Sequence, residues 1–322
     1  MSAKPKVLVT GGAGFIGSHL TERLLRDGKD VVVIDDLSTG RIENLAAQKN
    51  NPGLTFIRAK VSEYKELNNL IAQCESVYHL AAAVGVELVI QSCVRSIETN
   101  VHETEVILHA VAEHRVPVLL ASTSEVYGKS TKPAFSEDDD LLIGPPKFSR
   151  WSYACSKLMD EFLALAFARE REVPVVVARL FNTVGPRQTG QYGMVLPRFI
   201  ASARRGEPLR VYGDGRQTRC FCFVSDTVEA LVRLQSTPAS RNNVFNVGNP
   251  EEVSIVELAK LVIEITNSKS AVEFVPYEQA YAPGFEDMLR RKPVIDRLAE
   301  VTGFRPSTPL RKIVELTVAS VG

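Results

Sequence analysis

Apolar positions in the first 180 residues follow two alternating rhythms. Short runs rich in β-branched and aliphatic residues occur at Lys6–Thr10, Val31–Asp35, Leu54–Arg58, Ser76–Leu80, Pro117–Ala121 and Val175–Leu180. Between them lie stretches of helical spacing: Ser18–Asp27, with Leu20, Leu24 and Leu25, and then segments near Glu63–Gln73, Ser96–His114 and Tyr153–Arg169. A strand that is apolar throughout is covered on both faces, and strands separated by helices pair in parallel. The pattern therefore predicts an α/β fold, a doubly wound parallel sheet with helices on both sides.

After about residue 182 the texture changes. Gly185-Pro186, Gly190, Gly193, Pro197, Gly206, Pro208, Gly213 and Gly215 punctuate the chain. One strand pattern returns at Val244–Val247. A helix follows over Ser254–Thr266, where Ser254 and Glu257 have the spacing of a capping box. The tail, Phe304–Val321, begins with prolines and then reads as helix. No internal repeat, low-complexity tract or flexible linker interrupts the chain. The expected division is 1–181 as one domain, to which 221–249 returns, with 182–322 forming mainly a smaller, interleaved C-terminal lobe.

Composition narrows the function classes. The chain has 322 residues, 45% hydrophobic and 24% charged, which is ordinary for a globular protein. Lys+Arg and Asp+Glu both number 38. A zero net charge argues against nucleic-acid binding by the whole chain, which draws on displaced phosphate counterions. No apolar run is long enough to span a membrane, and Val7–Thr10 is too short for a leader core. The cysteines, Cys74, Cys93, Cys155, Cys220 and Cys222, are odd in number and lack framework or metal-ligand spacing. They read as reduced thiols of a cytoplasmic protein without a metal site.

Thr10-Gly11-Gly12-Ala13-Gly14-Phe15-Ile16-Gly17 follows a strand and opens a helix. Gly11 permits a tight turn, Gly14 lets backbone approach a pyrophosphate, and Gly17 lets helix lie on strand, while the helix N-terminus offers free N–H groups to phosphate. Asp35 and Asp36 end the next strand, where a carboxylate accepts from ribose hydroxyls and repels a 2′-phosphate. Together these predict a Rossmann-type dinucleotide site that prefers NAD to NADP, although Arg41 lies nearby.

Tyr153 and Lys157 are four residues apart and share one helix face. A free tyrosine has a pKa of about 10. A shift of about three units, worth about 4 kcal/mol, lies within reach of two nearby positive charges, the lysine and an oxidised nicotinamide ring. Tyr153 then takes a proton from a hydroxyl during oxidation.

With these motifs, the segments Ala121–Gly128 and Arg179–Pro186 make the whole chain resemble the extended short-chain dehydrogenases/reductases: the nucleotide-sugar epimerases, dehydratases and decarboxylases. The resemblance implies that Thr123 bonds the sugar O4 beside Tyr153. It places Val61, Leu80, Ala81, Ala82 and Asn100 along the cofactor. It puts Asn182 and Arg219 on the nucleotide diphosphate, Val195 and Leu196 over the base, and Tyr212 in the same substrate set. A homodimer built on a four-helix bundle is also implied. One position departs from the pattern. Where the family usually has an aspartate that contacts the adenine amino group, this chain has Lys60, with Ser62 as a substitute donor or acceptor and weaker cofactor binding expected.

The family oxidises C4 of a sugar, and the residues after Thr123 bear on the fate of the resulting ketone. Thr123-Ser124-Glu125 resembles the triplet of UDP-glucuronate decarboxylases and is also seen in GDP-mannose 4,6-dehydratases. Arg150-Trp151-Ser152-Tyr153, Arg219-Cys220-Phe221, Gly248-Asn249-Pro250-Glu251 and Arg291-Lys292-Pro293 resemble the decarboxylases too, and Arg291 falls where a carboxylate-binding arginine is proposed. The expected reaction is decarboxylation of UDP-glucuronate through a 4-ketone, with Glu125 or a water serving C5. The alternatives are a UDP-sugar 4-epimerase, a 4,6-dehydratase and a non-catalytic NAD sensor.

Overall fold

The computed structural model describes residues 4–82, 93–190, 194–276, 288 and 290–321. The strands of the first half are β1 (Lys6–Thr10), β2 (Asp30–Ile34), β3 (Leu54–Ile57), β4 (Ser76–His79), β5 (Val118–Thr123) and β6 (Val175–Leu180). The second half adds β7 (Thr183–Val184), β8 (Leu209–Tyr212), β9 (Thr218–Cys220), β10 (Cys222–Phe223), β11 (Asn243–Val247), β12 (Glu252–Ser254) and β13 (Val272–Val275). The helices are α1 (Phe15–Arg26), α2 (Leu67–Ile71), α3 (Cys93–His114), α4 (Ser152–Arg171), α5 (Val195–Arg205), α6 (Val224–Ser236), α7 (Ile255–Thr266), α8 (Asp296–Thr302) and α9 (Leu310–Ser320).

Seven strands form one sheet in the order β11-β6-β5-β4-β1-β2-β3. Every pairing within it is parallel. Alternate residues of each strand supply two cores, because side chains change face at every step. Val7, Val9, Val31, Val33 and Leu119 pack with Leu20 and Leu24 of α1 and with Val228 and Leu231 of α6. Leu8, Val32, Ile34, Val118 and Leu120 pack on the opposite face with Leu70 of α2, Ile107, Leu108 and Val111 of α3, and Ala164 of α4. The α/β expectation is met, and its two-sided burial explains the nearly continuous apolar strands.

Beyond β6 the chain adds three two-stranded sheets, β7 with β10, β8 with β13, and β9 with β12. Leu196, Phe199 and Ile200 of α5, Leu258 and Val262 of α7, and Ile313 and Val314 of α9 form a separate apolar core there. Meanwhile α6 and β11, both within 221–249, pack on or pair with the large sheet.

Most boundaries fall within three residues of expectation, and one differs in kind. The helix expected near Glu63–Gln73 is only α2, preceded by a 3₁₀ turn over Val61–Glu63. Tyr64, with φ −83° and ψ 101°, is extended and separates the two. α1 begins at Phe15, not Ser18, with Gly14 as its N-cap.

Ser254 caps α7 as the spacing implied. Its hydroxyl accepts from the Glu257 amide at 3.2 Å, and the Glu257 carboxylate accepts from the Ser254 amide at 3.0 Å. Ser254→Ala is expected to lose about 1 kcal/mol of stability. In urea-unfolding curves the midpoint should fall while NAD affinity stays unchanged.

Candidate active site

A cleft of about 1150 Å³ crosses the carboxyl edge of the large sheet and continues between it and the second lobe. Pockets for a single drug-sized ligand run from roughly 300 to 1,000 Å³, so this one lies just above that range. At one end lie Gly11, Gly14, Phe15, Ile16, Gly17, Asp35, Asp36, Lys60, Val61, Leu80, Ala81 and Ala82. Gly11 has φ +70°, and a Cβ there would stand 2.8 Å from the Ala81 nitrogen; a Cβ at Gly17 would stand 2.1 Å from the Gly11 carbonyl oxygen. Both glycines are thus required by the turn and by the approach of α1 to β1. No side chain caps α1 and no acid lies in its first turn, so its N–H groups and positive dipole end face the cleft.

The two aspartates differ. Asp35 is buried, and its carboxylate accepts from the amides of Ala13 and Leu37, both at 2.9 Å. Burial raises its pKa and those backbone bonds pull it back. Asp36 is less buried and accepts from the Ser38 amide. Acceptors at the end of β2 beside an open helix N-terminus suit the ribose and pyrophosphate of a dinucleotide, so the residues present fit that cofactor. Arg41 also lies on the wall. Ser62 does not: its hydroxyl and amide both donate to Glu103 of α3, at 2.5 and 2.9 Å. Ser62, the expected substitute for the missing aspartate, is thus engaged with Glu103.

Thr123, Ser124, Glu125 and Tyr153 meet in the middle of the cleft. Thr123 ends β5, and its hydroxyl accepts from the Glu125 amide, starting a 3₁₀ turn that swings Glu125 toward the cleft. Burial pushes the Tyr153 phenol well up from its ordinary range; the Glu125 and Asp160 carboxylates add to that, and a bond with the Thr123 hydroxyl opposes it. Lys157 and Asn100 are not on the cleft wall. Lys157 is 2% exposed, and its ammonium donates to the buried Asp160 carboxylate at 2.7 Å. Asn100 donates to the Ser156 hydroxyl at 3.1 Å. Lys157 shares the α4 face with Tyr153 but is engaged beneath it.

Glu125 is held by two arginines. Arg150 pairs with one carboxylate oxygen, and Arg291 lies 3.4 Å from the other. Burial would raise this carboxyl group, but the charges of Arg150, Arg291 and Arg219 prevail and keep its pKa below the usual carboxylate range. Three guanidinium groups thus act on the Glu125 carboxylate, in the part of the cleft next to Tyr153.

At the far end lie Asn182, Val195, Leu196, Tyr212 and Arg219. Asn182 donates to the Cys220 carbonyl at 3.0 Å and Arg219 to the Thr218 carbonyl at 2.8 Å. Arg198, absent from the sequence-derived set, lies with its guanidinium 5.3 Å from the centre of the Tyr212 ring. Arg187, also absent from it, lines the cleft and ties β7's loop to α1 through Ser18 at 3.2 Å and Glu22 at 2.6 Å. Arg150 and Glu103 also line the cleft without standing in the sequence-derived set. Arg198 had one signal, directly following Pro197; Glu103 had none.

Three of the thiols are buried. Burial pushes Cys74 up to about 11, and Cys220 and Cys222 to about 12. Among the described residues no group of three metal-binding side chains occurs, and no helix is long and apolar enough to cross a membrane.

A family model described as the NAD dependent epimerase/dehydratase family matches residues 7–248. UDP-N-acetyl-alpha-D-glucosaminuronate decarboxylase of Bacillus cytotoxicus is 40% identical over 98% of this chain and 97% of its own. UDP-glucuronic acid decarboxylase 4 of Arabidopsis thaliana is 39% identical over 97% of this chain and 68% of its own. Among solved structures, the UDP-glucuronic acid 4-epimerase of Bacillus cereus, in complex with UDP-glucuronic acid and NAD, superposes with a TM-score of 0.86 at 29% identity, covering 98% of both chains.

The electrostatics of Tyr153 can be read directly. Glu125→Gln removes a carboxylate that raises Tyr153, so its ionisation should begin at lower pH than in the unaltered protein. The measurement is the 295-nm absorbance difference against Tyr153→Phe in each background, at equal NAD occupancy. An unchanged onset would show that Glu125 does not act on the phenol.

Proposed function

Because the chain belongs to the NAD dependent epimerase/dehydratase family, we propose that it decarboxylates a UDP-hexuronate through a 4-keto intermediate, with UDP-glucuronate as the first substrate to try. The arginine cluster around Glu125, adjoining Tyr153 and Thr123, carries this reading. A hexuronate brings a carboxylate to C5, next to the carbon being oxidised, and guanidinium groups beside Tyr153 are donors suited to bind it. Two decarboxylases among the relatives support the reading at 40% and 39% identity. The full-length match to the first of them makes the 2-acetamido uronate a second substrate to test.

In this proposal residues 1–181 with 221–249 bind NAD, and 182–322 mainly bind the nucleotide sugar. Bound NAD supplies the two-electron acceptor for C4. Thr123 holds the C4 hydroxyl against Tyr153, which removes its proton. Lys157, on the same face of α4 and paired with Asp160, sets the charge near the phenol. Arg291 and Arg150 orient the carboxylate so that, once C4 is a ketone, the β-keto acid loses carbon dioxide. Glu125, kept ionised by its arginines, holds them in place and is no proton donor, so C5 is protonated by water. Asn182, Arg219 and Arg198 bind the diphosphate, and Val195, Leu196 and Tyr212 the base. A cytoplasmic setting is part of this reading, as is an isomerase outcome if decarboxylation fails.

A homodimer through α3 and α4 is also proposed. These helices lie side by side, and they expose Val94 (69%), Ile97 (41%), Met159 (54%) and Phe162 (63%). Four large apolar side chains exposed on adjoining helices mark an interaction face. Phe162→Glu is expected to shift the sedimenting species from dimer to monomer without unfolding it, measured by analytical ultracentrifugation and circular dichroism.

Incubation with NAD and either UDP-glucuronate or UDP-N-acetylglucosaminuronate, followed by mass spectrometry and proton NMR, should show loss of carbon dioxide and either a UDP-4-keto-pentose with NADH formed or, where NADH returns its hydride to C4, a UDP-pentose. Arg291→Ala should lower kcat/KM about 10- to 100-fold, as expected for losing a hydrogen bond to a charged group, with NAD binding unchanged. A product of unchanged mass inverted at C4 would make the enzyme a uronate 4-epimerase.

A further inference from the structure

The end of the cleft lined by Ala59, Lys60 and Val61 presents an inverted charge pattern. By resemblance, an aspartate belongs at position 60 to accept from the adenine amino group. Lys60 stands there, a donor where an acceptor is needed. Its ammonium is turned to Glu63, 2.7 Å away at the exposed rim. A carboxylate nevertheless lines this same end. Glu103 of α3 is 6% exposed and sits on the cleft wall with Ser96 and Thr99 of the same helix.

Glu103 is held rigidly. Its Oε2 accepts from the Ser62 amide at 2.9 Å and its Oε1 from the Ser62 hydroxyl at 2.5 Å. A carboxylate has about four lone-pair sites, so two remain after these bonds. Ser62 therefore fixes the Glu103 carboxylate in place. A buried acceptor locked in advance gives up little conformational freedom when a donor arrives.

We propose that Glu103 accepts a hydrogen bond from the 6-amino group of the NAD adenine, so that α3 supplies the carboxylate that the end of β3 lacks. This rests on the Gly11–Gly17 loop holding NAD. It makes Glu103 a specificity-determining residue for the cofactor. A 6-amino purine presents a donor to it, whereas a 6-oxo purine presents a lone pair facing a carboxylate. It also accounts for Lys60, whose ammonium pairs with Glu63 at the exposed rim and leaves the acceptor role to Glu103.

The test is calorimetric titration of the nucleotide-free protein with NAD and with nicotinamide hypoxanthine dinucleotide, in which the 6-amino group is replaced by oxygen. The unaltered protein should bind NAD about tenfold or more tighter than the analogue, as a hydrogen bond to a charged group predicts. Glu103→Ala should abolish that preference, chiefly by weakening NAD. Lys60→Asp in the Glu103→Ala background should restore it. Glu103→Gln keeps the side-chain size and is the variant to use if the alanine protein does not fold; it should narrow the preference. Ser62→Ala should retain the preference even if both ligands bind less well. Equal binding of the two ligands to the unaltered protein, or an equal loss of both in Glu103→Ala, would overturn the proposal and leave the NAD site intact. Failure of both ligands to bind the unaltered protein would instead overturn the cofactor reading on which it rests.

Discussion

A parallel sheet sends the carboxyl end of every strand to the same edge, and the chemistry of this protein hangs from that edge. Gly11 follows β1, Asp35 and Asp36 follow β2, Lys60 follows β3, and Leu80 to Ala82 follow β4. Thr123 ends β5 and Asn182 follows β6. Residues scattered over some 170 positions are gathered because the hydrogen-bonded register leaves each strand end beside its neighbour's. Both faces must be buried to keep such a sheet, so the cores on its two sides are what hold the edge in position.

Buried charge then fixes the helix that carries the phenol. Arg179 on β6 grips Glu161 of α4 in a two-pronged pair, with bonds of 2.8 and 3.0 Å, and also donates to the Tyr127 hydroxyl at 3.0 Å. One turn nearer Tyr153, Lys157 pairs with Asp160. Removing one partner of such a buried pair typically costs about 3–5 kcal/mol, so α4 is tied to the sheet directly below the site. The same arrangement decides the charge at the centre. Burial and the Glu125 and Asp160 carboxylates raise the Tyr153 phenol, so its role as a base depends on the positive charge that bound NAD brings, while guanidinium groups hold Glu125 below the usual carboxylate range. The two groups are pushed apart in opposite directions by neighbours drawn from different parts of the fold.

Much of this was legible in the chain. The alternation of apolar runs with helical spacing locates the strands of the large sheet to within a few residues, because burial on both faces leaves a continuous apolar signature. The glycines after β1 and the acids after β2 are equally readable, since their demands are local: a positive φ at Gly11, and a Cβ that would strike backbone at Gly17. The Ser254–Glu257 capping box is local as well. The short α2 was less legible, because Tyr64 breaks a run whose side chains alone look helical.

By itself, then, the sequence determined the fold class, the cofactor loop and the residues that share a helix face, for each depends on neighbours within a few positions. Only the tertiary structure decided that Lys157 points to Asp160 beneath the site, that Glu125 is clasped by Arg150 and Arg291, and that Ser62 is bound to Glu103. Those partners lie 3, 25, 166 and 41 residues apart. Apart from the first, no periodicity connects them, and even the first turns on which side of α4 is buried. A charge takes its protonation state from whatever the folded chain packs against it, and that packing is a property of the whole fold.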